Sequence, residues 1–385
     1  MTICFITDHP FYEKDGLFYS GGGITADLLH RYVRGDSRLL VLARDTNKPN
    51  LTLSSIPNSE FHLLSNYRKP KDIYLKRYAL FKELSDYISK CDGVVMRLPS
   101  PLGLFAYKIC KALEKPCAVE VCGSAYDMYH NYGNIVARII APFSERIHKK
   151  VIFDSDFVLY VTQECLQKEY PYKPTARTVS CSNVSLPIID NSVLDERLDR
   201  IGKHNGKSFV FGQIGNVSVA YKGYEVMLNA MDRLKKSGLD IQYHIVGGGN
   251  PDSLIEKAKA LRLERQLVFR GHMDHSMISE FLREIDIYVH PSFQEGVPRS
   301  AIEAISHAVP VLISNAGGSS ELVSKEWIHK PGDVEKLVGD ILKITQNKEL
   351  QSLAACENFE RGKDYYADIL NSKRSAYYDS FFQSL

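Results

Sequence analysis

The sequence predicts an α/β protein with two parallel-sheet domains, and three observations support this fold class. The chain has 385 residues, which is too long for one ordinary core and suits two domains. Short apolar runs alternate with amphipathic stretches of helix length, which is the pattern of β-α-β units. The strand-like segment Asp156-Phe-Val-Leu-Tyr-Val in the first half is echoed by Asp286-Ile-Tyr-Val-His in the second.

The first half contains five candidate strands and four candidate helices. The apolar runs predict strands at 2–6, 39–43, 92–96, 117–121 and 156–161. The amphipathic stretches predict helices at 24–33, 74–88, 102–114 and 134–149.

The second half repeats this alternation with clearer boundaries. Its apolar runs predict strands at 209–214, 241–246, 267–270, 286–290 and 309–313. Its amphipathic stretches predict helices at 223–236, 252–262, 276–283, 298–307 and 333–345. In the first of these helices, Met227, Met231 and Leu234 recur at helical spacing and indicate a face that packs on the core.

A polar segment separates the two halves. Residues 186–207 have no apolar period, so they are predicted to contain the interdomain linker. The N-terminal domain is therefore expected at 1–185 and the C-terminal domain at 208–360. The tail at 361–385 is rich in Tyr and Phe, so we expect it to dock on the protein as a helix.

Composition indicates a globular protein, with 44% apolar and 24% charged residues. The net charge of +2 gives no reason to expect a nucleic acid partner. The eight cysteines form no CxxC pair, which favours free thiols in a reducing compartment. Because the sequence has neither the features of a signal peptide nor a run of about 20 apolar residues, we expect a cytoplasmic location.

The segment after the predicted strand 286–290 contains the chemistry expected of an anion site. Gly296 permits a tight turn, and Pro298 suits the first position of a helix. The helix start would offer free N–H groups of Arg299 and Ser300 to an anion. Glu295 and Glu303 are eight residues apart, and a carboxylate that accepts two hydrogen bonds suits a vicinal diol. A helix start with stabilising acidic residues nearby is the alternative interpretation.

This segment resembles the E-G-x-P-x4-E motif of retaining family-4 glycosyltransferases. The resemblance continues through Ala308-Val-Pro-Val to Gly317-Gly318-Ser-Ser-Glu321, and upstream through Val246-Gly-Gly-Gly-Asn-Pro and Tyr221-Lys222-Gly223. It therefore covers essentially the whole second domain. It implies the GT-B fold, in which two facing Rossmann-like domains enclose a cleft and a C-terminal helix crosses back to the N-terminal domain.

The resemblance also implies roles for individual residues. Glu295 would contact the donor sugar near the reacting carbon, Glu303 would bind the ribose, and Lys222 would bind the diphosphate. The other residues that the resemblance places at the donor are Asn216, Gly248, His272, Gly296, Val297, Pro298, Arg299 and Ser300. The family often has an arginine near the position of Asn216, so Lys222 is the main cation unless Arg299 or another basic residue substitutes.

The first half resembles the family less closely. Gly22 and Gly23, in the run Ser20-Gly-Gly-Gly, precede a predicted helix and match the family's N-terminal glycine loop at the diphosphate. Many relatives have a histidine on the acceptor side, near the segment Val119–Asp127 here. Because this segment contains no histidine and the next one along the chain is His130, Asp127 or Tyr126 is the candidate for contact with acceptor or donor sugar.

The resemblance implies sugar transfer, with retention of configuration, from a nucleoside-diphosphate sugar to an oligosaccharide or lipid-linked acceptor in bacterial surface polysaccharide synthesis. A UDP-sugar is slightly preferred over a GDP-sugar, and no cofactor is expected. Asp154-Ser-Asp156 has the D-x-D form of a metal site, but Asp156 begins a predicted strand, which favours a structural role. No metal is therefore expected either. A nucleotide-sugar epimerase and a non-catalytic relative are the alternatives that remain. The stretch 138–150 mixes basic and apolar residues. It is typical of a segment that contacts the inner face of an anionic membrane, and equally of an ordinary packing helix.

Overall fold

The computed structural model describes residues 1–21, 23–48, 52–64, 67, 72–130 and 135–385. These residues form two compact units. The N-terminal unit comprises Met1–Cys181 together with Asn371–Leu385, and the C-terminal unit comprises Ser182–Leu370. Each unit has a parallel sheet and helices, which confirms the predicted α/β class.

The described part of the N-terminal unit has nine strands in one sheet. They are β1 (Thr2–Lys14), β2 (Leu17–Ser20), β3 (Arg38–Asp45), β4 (Thr52–Leu53), β5 (Ser59–Leu63), β6 (Gly93–Leu98), β7 (Cys117–Val121), β8 (Phe157–Tyr160) and β9 (Arg177–Ser180). Seven of them run parallel in the order β5-β3-β1-β6-β7-β8-β9. Strand β2 pairs antiparallel with the end of β1 and with β4.

The helices of this unit begin and end at local signals in the sequence. They are α1 (Ala26–Leu29), α2 (Asp72–Leu75), α3 (Arg77–Ile88), α4 (Pro101–Ala112), α5 (Ala125–His130), α6 (Ile135–Asp154) and α7 (Cys165–Glu169). At the start of α4, the Ser100 hydroxyl accepts a hydrogen bond from the Gly103 N–H at 2.8 Å. The predicted helix 74–88 is interrupted at Lys76, and the predicted helix 24–33 becomes a 3-10 turn at His30–Tyr32. Within the described residues, no helix combines the length and the apolar character that a membrane crossing requires.

The C-terminal unit has a purely parallel sheet in the strand order of a dinucleotide-binding fold. Its strands are β10 (Ser208–Ile214), β11 (Asp240–Val246), β12 (Leu267–Gly271), β13 (Ile287–His290), β14 (Val311–Ser314) and β15 (Ile328–His329). The order β12-β11-β10-β13-β14-β15 corresponds to 3-2-1-4-5-6 within the unit. Connections from β10 and β13 leave the sheet in opposite directions, so a crevice is expected between the ends of these two strands.

Seven helices follow in the described chain. They are α8 (Ser192–Lys203), α9 (Tyr224–Leu234), α10 (Asp252–Ala260), α11 (His275–Glu284), α12 (Arg299–Ser306), α13 (Val334–Thr345) and α14 (Lys348–Gly362). The predicted core face of α9 is confirmed, because Met227, Met231 and Leu234 are all buried.

The segment 186–207, which was predicted to contain the interdomain linker, belongs to the C-terminal unit, and most of it forms the helix α8. Val193, Arg197 and Ile201 lie four residues apart on its buried face. Arg197 donates to the carbonyl groups of Ile285 and Leu282, at 2.6 Å each. The buried face therefore includes a charged residue at its centre, which removed the apolar period from the sequence pattern.

The predicted return of the C-terminal helix to the N-terminal domain is confirmed. The helix α15 (Ala367–Phe382) begins later than residue 361, because α14 continues to Gly362 and a 3-10 turn follows. From Asn371 onward the chain belongs to the N-terminal unit. There the ring of Phe381 lies 5.3 Å from that of Phe157 on β8.

A buried carboxylate on β7 fixes the end of this helix. Glu120 accepts hydrogen bonds from the hydroxyl groups of Tyr378, at 2.6 Å, and Tyr32, at 2.9 Å. The guanidinium Nε of Arg97 lies 3.1 Å from the other carboxylate oxygen. Because an unpaired buried charge is strongly unfavourable, these partners make the position of α15 specific as well as apolar.

We expect the Tyr378→Phe variant to unfold more easily, because it removes a donor to a buried charge and leaves the ring in place. The free energy of unfolding should fall by about 1–3 kcal/mol. Tyr377→Phe is the matched control, because the neighbouring hydroxyl of Tyr377 is buried without a partner in the described residues. Urea unfolding of both variants measures the difference, and equal losses would contradict the role of Glu120.

Candidate active site

A cavity of the C-terminal unit lies at the carboxyl ends of its central strands, where parallel sheets bind ligands. It has a volume of about 830 Å³. Its lining comes from the ends of β10 and β11, the loop before α11, and the loop and helix start after β13. This is the crevice expected from the strand order.

Most of the donor residues suggested by the sequence meet in this cavity. Those that line it are Asn216, Lys222, Gly248, His272, Glu295, Val297, Pro298, Arg299, Ser300 and Glu303. Gly296 belongs to the same loop, where its carbonyl accepts a hydrogen bond from the Gly318 N–H at 2.7 Å. Asn216 serves its own turn, because its side-chain oxygen accepts from the Ser218 N–H at 2.9 Å.

Two glycines with left-handed backbone allow the loop after β13 to pack tightly. A Cβ on Gly223 would lie 2.0 Å from the carbonyl oxygen of Pro291, and one on Gly317 would lie 2.0 Å from that of Glu295. Their φ angles are +73° and +54°. Any side chain at either position would push this loop away. Gly223 and Gly317 therefore determine how closely the backbone of the Glu295 loop packs.

Glu295 is a buried carboxylate with two nitrogen partners. The Nζ of Lys222 lies 2.7 Å from its Oε1, and the Nε2 of His290 lies 2.8 Å from the same oxygen. Burial by itself would raise the pKa of Glu295, but the hydrogen bond and charge interaction with His290 and the ammonium of Lys222 outweigh it and lower the pKa to about 2. The site therefore contains a fixed negative charge.

Glu303 and Arg299 form a second ion pair at the start of α12. The Nε of Arg299 lies 2.9 Å from the Oε1 of Glu303, one helical turn away. The Glu303 side chain is 10% exposed, whereas that of Arg299 is 51% exposed. The carboxylate is thus fixed in the cavity wall, and the guanidinium at its mouth is the more mobile partner.

His290 is a site residue that sequence reasoning missed. It ends β13, is fully buried, and contacts Glu295 directly. One signal in the sequence could have identified it: His290 is a polar residue at the carboxyl end of a central strand, five positions before the motif glutamate. Only the fold shows that the loop between them turns back far enough for contact.

The remaining candidates belong to the N-terminal unit. Gly22 lies outside the described residues. A Cβ on Gly23 would lie 3.0 Å from Cε1 of His9, so this glycine leaves room for an imidazole. Asp127 is on α5, where burial and the nearby Glu145 carboxylate raise its pKa. The roles of Gly22, Gly23 and Asp127 stay predictions.

The D-x-D segment has a structural explanation in this unit. Asp154 ends α6, and Asp156 pairs with Lys173. The echo residue Asp286 likewise accepts hydrogen bonds from the Arg200 guanidinium and the Val210 N–H. In the part of the chain that the structure describes, no three His, Cys, Asp or Glu side chains are grouped as a metal site would need.

The chain matches known proteins over its whole length. Residues 195–359 match the family model of glycosyl transferases group 1. The chain is 31% identical over 378 residues to the protein CapJ of Staphylococcus aureus, covering 97% of this chain and 94% of CapJ.

Two further relatives are matched over about half of the chain. Capsular polysaccharide biosynthesis glycosyltransferase CapM of Staphylococcus aureus is 21% identical over 201 residues, covering 51% of each chain. UDP-Gal:alpha-D-GlcNAc-diphosphoundecaprenol alpha-1,3-galactosyltransferase of Escherichia coli is 25% identical over 234 residues, covering 55% of this chain and 59% of the relative.

Solved structures show the same fold at low identity. Sucrose-phosphate synthase from Thermosynechococcus elongatus has a TM-score of 0.67 and 15% identity over 100% of both chains. HepE from Anabaena, in complex with UDP and glucose, has a TM-score of 0.64 and 15% identity, covering 100% of this chain and 99% of HepE. The GT-B fold that the sequence resemblance implied is confirmed.

The buried charge of Glu295 predicts a pH dependence of stability. Its pKa rises from about 2 in the folded chain to about 4.5 when unfolded, so its contribution is present above pH 4.5 and is lost as the pH falls through 2. A difference of this size corresponds to about 3 kcal/mol. Between pH 5 and pH 2 the free energy of unfolding should fall in both proteins. We expect the fall to be smaller by about 3 kcal/mol in Glu295→Gln than in the wild type.

Urea unfolding at a series of pH values and constant ionic strength measures this difference. Glu225→Gln is the matched control, because it removes an exposed carboxylate from α9 of the same unit. Parallel curves for the wild type and Glu295→Gln would contradict the buried interaction.

Proposed function

The chain belongs to the glycosyl transferases group 1 family, and we propose that it transfers a sugar from a nucleoside-diphosphate donor to a carbohydrate or lipid-linked acceptor with retention of anomeric configuration. The single observation that supports this most directly is the pairing of two carboxylates with two cations in one cavity at the sheet's carboxyl edge. A nucleoside-diphosphate sugar offers diols for the carboxylates and a diphosphate for the cations.

Each partner in the cavity has a proposed place on the donor. Glu303 binds the ribose hydroxyl groups, since its carboxylate is fixed in the wall. Lys222 turns from Glu295 to the diphosphate, which presents a larger negative charge. Arg299 and the first N–H groups of α12 complete the anion site. Among the described residues, both nitrogen contacts of Glu295 fall on Oε1, so we propose that Oε2 accepts a hydrogen bond from a sugar hydroxyl.

The proposed chemistry needs negative charge beside the anomeric carbon. As the diphosphate leaves, positive charge develops on the sugar ring, and a nearby carboxylate gains interaction energy as that charge grows. Glu295 suits this role because its depressed pKa keeps it ionised across the neutral range. Protein cations and helix N–H groups neutralise the leaving diphosphate, so we propose that catalysis needs no metal and no cofactor.

The donor and the acceptor are proposed from the relatives. The Escherichia coli relative is named for UDP-galactose, and HepE is solved with UDP and glucose, so a UDP-sugar is the favoured donor. CapM is named for capsular polysaccharide biosynthesis and the Escherichia coli relative for a diphosphoundecaprenol acceptor. We therefore favour bacterial surface polysaccharide synthesis, with an oligosaccharide or a lipid-linked saccharide as acceptor.

A lipid-linked acceptor would bring the enzyme to a membrane, and the exposed face of α6 suits an anionic bilayer surface. Ile135, Ile139, Phe143 and Ile147 form a stripe at intervals of four residues, and each side chain is exposed. Arg138, Arg146 and Lys150 are exposed on the same helix. The one acidic residue between Ile135 and Lys150 is Glu145, and it pairs with Lys149 at 3.0 Å.

This arrangement is that of a helix that lies in the membrane interface. Apolar side chains would enter the acyl boundary while the cations contact anionic headgroups. Lys149 takes no part in this surface, because its ammonium is directed to Glu145. We propose that the enzyme is a peripheral protein at the inner face of the membrane.

The two glutamates should respond differently to substitution. Glu303→Ala should weaken the affinity for UDP by about tenfold, because ribose contacts form equally in the ground state and the transition state. Glu295→Gln should lower kcat by about 100-fold or more. Its affinity for UDP should be unchanged or higher, because Lys222 loses its competing partner. Calorimetry with UDP and steady-state kinetics measure both effects.

The wild-type reference comes from a screen of UDP-glucose, UDP-galactose, UDP-N-acetylglucosamine and GDP-mannose in excess chelator. Turnover that requires added manganese or magnesium would contradict metal-free catalysis. Conversion of a donor to its epimer without acceptor would indicate an isomerase. If Glu295→Gln abolishes UDP binding and Glu303→Ala leaves it unchanged, the assigned roles are wrong.

The membrane proposal predicts a loss of vesicle binding in the variant Ile139→Ser, Phe143→Ser, Arg146→Ser, Lys150→Ser. Removing the two cations alone should weaken binding to phosphatidylglycerol vesicles by about 30-fold, at about 1 kcal/mol each, while donor hydrolysis is unchanged. The control Lys236→Ser, Leu353→Ser removes an exposed cation and an exposed apolar side chain from the C-terminal unit. Wild-type protein that ignores such vesicles at low salt, or that self-associates through this face in sedimentation, would contradict the proposal.

A further inference from the structure

Burial restricts the side chain of His290 to one position. It is the last residue of β13, and its side chain is 0% exposed. Its Nε2 lies 2.8 Å from Oε1 of Glu295 and 3.2 Å from the hydroxyl of the buried Ser292. A strand backbone and a packed interior leave the imidazole little freedom to move.

The proton on the ring is assigned by its neighbours. Glu295 is a carboxylate and only accepts hydrogen bonds, so Nε2 must carry the proton that lies between them. The Nδ1 atom is buried and has no partner among the described residues.

Lys222 and His290 share one oxygen atom of Glu295 but differ in mobility. Lys222 extends from a 3-10 turn on a flexible stem, with 18% of its side chain exposed. The ring of His290 is rigid and fully buried. When a diphosphate attracts Lys222, the hydrogen bond from His290 is the contact, among the described residues, that keeps the Glu295 carboxylate in position.

We propose that His290 is a positioning residue, which fixes the Glu295 carboxylate beside the donor sugar after the diphosphate has drawn Lys222 away. This inference rests on the proposed function of the same cavity. The glycine contacts fix the backbone of the Glu295 loop, but the side chain still has rotatable bonds beyond Cα. Only a contact at the carboxylate itself restricts them, and small errors of placement reduce rates strongly.

The test compares variants that keep or remove a donor at the Nε2 position. In His290→Gln the side-chain amide reaches the place of Nε2, so kcat should stay within about fivefold of wild type. In His290→Phe the ring is kept without a donor, so kcat should fall by about 10- to 100-fold. UDP affinity should change by less than threefold (roughly 0.6 kcal/mol) in both variants, because the proposed nucleotide site does not include His290.

A double-mutant cycle separates positioning from general support of the fold. If His290 acts through Glu295, His290→Phe should have less than about a threefold effect on kcat in the Glu295→Gln background. His329→Phe is the matched control, because His329 is also buried in this unit and neither ring nitrogen has a partner among the described residues. Thermal unfolding checks that each variant folds.

The outcomes distinguish this inference from the proposed function. Wild-type protein that turns over none of the four donors and binds no UDP would overturn the proposed function and, with it, the inference. An active wild type in which His290→Gln loses as much as His290→Phe, or in which His290→Phe loses the same factor in both backgrounds, overturns the role of His290 alone. If His290→Phe does not fold, His290→Asn replaces it, since its amide stops near the position of Nδ1.

Discussion

The negative charge of Glu295, buried at the carboxyl edge of the sheet, is the constraint on which the rest of the site depends. A carboxylate at this depth is unfavourable unless nitrogen partners surround it, and Lys222 and His290 supply them. The two partners come from opposite sides of the strand-order reversal, after β10 and at the end of β13. The contacts of Glu295 with Lys222 and His290 therefore connect the two halves of the sheet at the point where a ligand is expected to enter.

Backbone contacts set the geometry that this charge requires. The loop of Glu295 lies directly against Gly317, and the start of the same loop lies against Gly223. Neither approach leaves space for a Cβ atom, so two glycines far from each other in sequence determine where one carboxylate stands. The order of the motif residues in the chain is thus a consequence of packing as well as of chemistry.

The N-terminal unit uses a buried charge for a different purpose. Glu120 receives two tyrosine hydroxyl groups and the guanidinium of Arg97, and one of the tyrosines belongs to the terminal helix. Aromatic rings give this helix its apolar contact with the unit, and the hydrogen bond specifies its position. In both units, a charge excluded from water selects one arrangement of distant segments.

The sequence by itself determined the fold class and the place of the proposed donor site. Parallel strands at the predicted positions, the E-G-x-P-x4-E segment and Lys222 follow from local patterns, because apolar period and motif spacing are properties of neighbouring residues. Tertiary structure alone decided the rest. The helix α8 formed within the predicted linker, with Arg197 buried against carbonyl groups of the C-terminal unit, and His290 came within 2.8 Å of Glu295. These contacts depend on which carbonyl groups and charges the folded chain brings within about 3 Å, and hydrogen bonds of that length are not encoded in any local period.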